Sequence, residues 1–87
     1  MAAKRHVDYR AAQTLSDLLA DRGWTPADVE RASEATGHPM RRVSKRTVYR
    51  VLTDGHLPRN PVQFEIAATL GLLPSHIWGR APMPVAA

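Results

Sequence analysis

Lys45, Arg46, Tyr49 and Arg50 are the residues whose types and spacing best suit chemistry, and that chemistry is recognition, not bond-making. They share one side of a helix if Val48, Val51 and Leu52 hold the other side against a core. A guanidinium can give two N–H bonds at once to guanine O6 and N7, an ammonium can do so less rigidly, and a tyrosine ring can touch a phosphate or a thymine methyl. Ser44, as the helix N-cap at the positive end of the helix dipole, suits a backbone phosphate. Each residue also has a plainer role: Ser44 only a cap, Tyr49 only a half-buried aromatic, the bases only solvated. Their concurrence on one short helix is what points to a polyanion.

The charge distribution favours the same place. The 87 residues carry 12 Lys plus Arg against 8 Asp plus Glu, a formal net charge of +4. From Ala35 to Thr53 there are five bases (Arg41, Arg42, Lys45, Arg46, Arg50) and no acid, so the rest of the chain is slightly acidic. A localised basic patch on a small domain is what a polyanion binder needs.

Catalysis has little support. His6, His38, His56 and His76 are far apart, and none shares a helix face with a second His, Asp or Glu at zinc-site spacing. Asp17 and Asp21 lie one turn apart on the expected solvent side of the first helix. There is no Gly-rich phosphate loop and no nucleophile elbow. Cysteine is absent, so neither a disulfide framework nor a Cys-ligated metal site can form. The length predicts one small domain without room for a catalytic one. No apolar run is long enough to span a bilayer, and Met1 to Arg10 lacks a hydrophobic signal core. The expectation is a cytoplasmic non-enzyme with no cofactor, no metal, no membrane and no small-molecule ligand.

The elements that must position the basic face read as helices. Ala11, Leu15, Leu18 and Leu19 recur at helical intervals up to Gly23. Thr25-Pro26-Ala27-Asp28 reads as a cap, a proline at the first helical position and an acid closing a capping box. That second helix runs to about Thr36, burying Val29, Ala32 and Ala35 or Ser33, and Gly37 ends it. His38 to Arg42 is a loop, because Pro39 biases its predecessor out of the helical region. Ser44 caps the third helix and Asp54-Gly55 closes it. Asn60-Pro61-Val62-Gln63 opens a fourth helix, with Asn60 as cap and Phe64, Ala67, Ala68 and Leu70 facing inward. Ser75 to Trp78 is a short fifth. Trp24 and Phe64 complete the core. Strand signals are weak, so the fold class is all-α: a compact bundle of four to five short helices spanning residues 1–80, followed by a loose tail, residues 81–87.

Three stretches also resemble a known family: LSDLLADRGWTPADV, VSKRTVYRVLTDG and LPRNPVQFEIAATLGLLPSHIW. Together they make residues 15 to 78 similar to the lambda-repressor/Cro-like helix-turn-helix regulators. Gly55, Pro58 and the Ala67-x-x-Leu70-Gly71 ending follow in that family's order. The resemblance implies that helices two and three form the helix-turn-helix, with helix three in the major groove. Lys45, Arg46, Tyr49 and Arg50 then match base-contacting positions. Thr25 and the start of helix two match the phosphate-contacting edge; Ser44 and Thr47 are the further phosphate-contacting candidates on helix three. Two departures stand out. The connection from Gly37 to Val43 has seven residues where the family has three or four, so either helix two ends late and the loop bulges, or an enlarged turn brings Arg41 and Arg42 to the phosphates. The second is favoured. Pro26 also replaces a glutamine that in many relatives bonds phosphate.

These observations predict a sequence-specific double-stranded DNA-binding transcriptional regulator of the Cro repressor type, acting by operator occupancy. Ten Arg against two Lys, with abundant Ala, fits a GC-rich genome and a phage or actinobacterial source. Relatives bind two-fold sites as dimers, and Ile77, Trp78 and Met83 are the candidates for a homodimer interface. The alternative is a protein-interaction module of the same fold, of the antitoxin or excision-factor type, with or without DNA.

Overall fold

In the computed structural model, which describes residues 7–35 and 42–79, the chain enters its first helix through Asp8. Its Oδ1 accepts the Ala11 amide at 2.9 Å and so satisfies one of the helix's open donors. Helix α1 (Tyr9–Arg22) ends at Gly23, whose φ of 70° is the left-handed geometry that glycine adopts without strain.

Helix α2 (Pro26–Ala35) opens where the Thr25-Pro26-Ala27-Asp28 pattern places it. Asp28 reaches back, its Oδ2 accepting the Thr25 amide at 2.8 Å and the Thr25 hydroxyl at 3.1 Å. The hydroxyl is therefore a donor to the carboxylate, and the Asp28 amide goes to the Thr25 carbonyl at 2.9 Å. Of the two alternatives for the last buried position, Ser33 is inside at 0% exposure and Ala35 is exposed. The expected stop at Gly37, the Pro39 loop and Arg41 lie outside the described residues, as does Met83.

Helix α3 (Lys45–Asp54) begins at the Ser44 cap and ends at Gly55, with φ 69°. Helices α4 (Asn60–Thr69) and α5 (Ser75–Trp78) complete an all-α arrangement. Among the described residues the only extended pairing is an isolated antiparallel bridge between Val7 and His56. Helix α3 packs on α1 and α2, α2 packs on α4, and α5 closes against α1 and α4. Leu15, Val29, Val48, Val51 and Ile66 sit at the centre with no exposure. Full burial of an aliphatic side chain contributes about 1.5–3 kcal/mol, so these five and their neighbours hold the helices together.

Helix α4 corrects the sequence in two respects. It starts one residue early: Arg59 is the cap position and makes no side-chain cap bond, while Gln63 Nε2 bonds the Pro58 carbonyl at 2.8 Å. Its inner face is also rotated. Ile66, Ala67 and Leu70 are buried with Glu65, whereas Phe64 is 53% exposed and Ala68 is exposed. Positions 64 and 66 differ by about 200° around a helix, so only one can face inward, and Val62, Ile66 and Leu70 form the continuous i, i+4, i+8 row. Phe64 therefore does not complete the core. Trp24 does pack against it, half-buried, with the Arg22 guanidinium 5.6 Å from its ring centre.

A second correction concerns α5. Ile77 and Trp78, expected at a surface for a second copy, are 4% and 9% exposed and belong to the core of the single chain. They cannot pack inward and outward at once.

Candidate nucleic-acid interface

Two contacts, one buried and one exposed, set α3 against α2. The Ser33 hydroxyl accepts the Val43 amide at 3.1 Å where the chain re-enters, and both residues are buried. One turn earlier on α2, Glu30 Oε2 accepts the Lys45 amide at 3.2 Å. The start of α3 is thus tied to α2 at two amides two residues apart, Val43 and Lys45, and the opposite side of α3 is left to solvent.

That outward side carries Lys45, Arg46, Tyr49 and Arg50, all exposed, with Tyr49 at 59%. Val48 and Val51 point the other way at 0%, and Leu52 is half-buried. The structure therefore brings together the four residues that the helical spacing groups. Among the described residues no carboxylate lies within 4.0 Å of the charged groups of Lys45, Arg46 or Arg50. Beside them the first turn of α2 comes close: Thr25, Pro26 and Ala27 with Lys45, Arg46 and Tyr49 line a shallow groove of about 410 Å³.

Ser44 and Thr47 form a local unit. Ser44 Oγ accepts the Thr47 amide at 3.2 Å, and the two hydroxyl oxygens are 3.1 Å apart. Two hydroxyl protons are available and their mutual bond uses one, so one remains to reach an outside acceptor. The helix dipole is less open than a bare N-terminus would be, because Glu30 already occupies the Lys45 amide and places a negative charge there.

Arg42 bears a similar restraint. Its Nη2 lies 3.3 Å from Glu34 Oε2, with the two side chains 59% and 49% exposed. Surface pairs of this kind contribute about 0–1 kcal/mol, so an outside anion can displace Glu34 at small cost. The window that holds no acid in the sequence thus acquires two in space, Glu30 and Glu34, from the helix before it. Their i, i+4 spacing on α2 is the signal that would have found them, since it puts both on one face.

Two groups near the interface have pKa values lowered from the ordinary ones. At the exit of α3, His56 is half-buried, and its pKa is lowered first by burial and then by the positive Arg50, with Asp54 opposing. The Asp28 carboxyl is lowered below its ordinary value by the Thr25 backbone amide first and the Arg31 guanidinium next.

Away from α3, the polar side chains of Asp8 and His76 serve the helices. A cleft of about 370 Å³ between α1 and α5 is lined in part by Asp8 and His76. Asp8 caps α1, and His76 Nδ1 accepts the Leu73 amide at 3.0 Å. Among the described residues no three His, Asp or Glu gather in a group able to hold a metal ion. No described helix is long and apolar enough to cross a membrane. No family model, curated protein or solved structure matches the chain.

Proposed function

We propose that this chain binds double-stranded DNA in a sequence-specific manner through a helix-turn-helix formed by α2 and α3, and regulates transcription as a repressor by occupying its operator. The observation that carries the reading is the outer face of α3, where Lys45, Arg46, Tyr49 and Arg50 stand exposed together while Val48 and Val51 anchor the same helix in the core. Lys45, Arg46 and Arg50 suit base edges and phosphates; Tyr49 suits a phosphate or a methyl group. Arg42 and the spare hydroxyl proton of the Ser44–Thr47 pair suit the phosphates beside them, whereas the amide and hydroxyl of Thr25 are already given to Asp28. The proposal also takes up the resemblance of residues 15 to 78 to lambda-repressor/Cro-like regulators that the sequence motifs suggest.

A salt titration of binding to a mixed-sequence duplex tests it. Neutralising roughly four to six phosphates predicts a log-log slope of about −4 to −5. A flat response contradicts it.

One observation favours a second reading, in which a protein partner or a second copy is held as well. Pro61, Phe64 and Ala68 are exposed together on the outer side of α4, with no charge among them. With Ile77 and Trp78 spent on the core, that uncharged face is what a partner would meet. Sedimentation of the purified chain, alone and with DNA, separates a monomer from a dimer.

A further inference from the structure

The groove between α2 and α3 has a lining at odds with its surroundings. Its walls expose almost only apolar surface, although two of the six residues around it are cations. Lys45 and Arg46 therefore contribute methylene stems and keep their charged heads at the rim. The other walls come from Thr25, Pro26, Ala27 and Tyr49.

A phosphate is a poor occupant for this place. Pro26 has no amide hydrogen to offer, and the Thr25 amide and hydroxyl are both given to Asp28. What fits is an apolar group carried on an anionic molecule, since the cations at the rim have no carboxylate partner among the described residues. On the major-groove edge of duplex DNA the apolar group is the 5-methyl of thymine.

We propose that the groove lined by Pro26, Ala27 and Tyr49 receives a thymine methyl, so that the interface reads a thymine beside the base pairs contacted by Arg46 and Arg50. This rests on the duplex-DNA reading above.

The test uses a duplex recovered by selection from a random library, with each thymine replaced in turn by deoxyuridine, which lacks only the 5-methyl. At one or two positions the substitution should weaken binding about fourfold, the equivalent of one buried methyl at ~0.8 kcal/mol. The Tyr49→Ala variant should show no difference between thymine and uracil at those positions. A recovered site without thymine, or one bound equally well with uracil throughout, overturns the inference while the DNA reading stands. Failure to recover or bind any duplex overturns the DNA reading itself and the inference with it.

Discussion

Glu30 reaches from α2 to the first turn of α3, where its Oε2 accepts the backbone amide of Lys45 at 3.2 Å. The contact supports the helix start and opposes a polyanion at the same spot. Glu30→Gln keeps an acceptor for the amide and removes the charge. Its affinity for duplex DNA should rise about two- to fivefold at low salt, and the gain should fade as salt screens it. Fluorescence anisotropy at two ionic strengths measures this; unchanged affinity at low salt would mean that no phosphate approaches the start of α3.

Arg46 and Arg50 are exposed and carry no ion pair among the described residues, so their removal should leave the fold nearly untouched. Arg46→Ala and Arg50→Ala should each change stability by less than about 0.5 kcal/mol. Each should cost on the order of 1–3 kcal/mol in binding to a preferred site, with little loss on unrelated duplexes. Competition binding on both kinds of duplex, with thermal melts of each variant, checks the split.

Much of this arrangement is legible in the chain itself, because its signals are local. Gly23 and Gly55 at positive φ, the Ser44 cap and the Thr25–Asp28 return bond all depend on neighbours within a few residues. The outward set on α3 follows from Val48 and Val51 alone. What is not legible depends on which of two faces wins a place in the core. In α4 the only charged residue, Glu65, is 2% exposed and partnered, while Phe64 is outside. Residue type alone predicts the reverse, and only the Val62-Ile66-Leu70 row argues otherwise. Glu30 and Glu34 were hidden for another reason: a charge window counted along the chain cannot see a carboxylate brought in by the packing of α2 on α3.

Ser33 holds the junction between these two helices by accepting the Val43 amide in a fully buried setting. Ser33→Ala would leave that amide without its acceptor, at a cost of about 1–3 kcal/mol. Urea denaturation should show a lower midpoint with an unchanged slope. If the midpoint is unaltered, the bond does not hold the junction.

His56 gives the stability a pH dependence of known sign. Burial and Arg50 lower its pKa in the folded state, so the unfolded chain binds its proton more readily. Its contribution is complete above about pH 6.5, the unfolded value, and is lost as pH falls from there through the folded pKa. Asp28, also lowered, acts in a separate window below about pH 4. The melting temperature should fall between pH 7 and pH 5, and His56→Gln should flatten that part of the profile. A variant that keeps the full slope would assign it to another group.

Gly55 is the place where the entry to α1 and the exit of α3 meet. Its φ is 69°, and a Cβ there would lie 2.6 Å from the Tyr9 ring. Gly55→Ala should destabilise the fold by at least ~1 kcal/mol from the left-handed backbone alone. Tyr9→Ala in the same chain should recover only the steric part, as thermal melts of the single and double variants would reveal.

The outer face of α3 as the reader of duplex DNA is tested most directly by selection from a random duplex library at moderate salt, run in parallel with the wild-type chain and the Arg46→Ala/Arg50→Ala double variant. The wild type should recover a recurrent motif, and the double variant should lose it while remaining folded. Recovery of no motif by the wild type, or of the same motif at the same affinity by the variant, would contradict it.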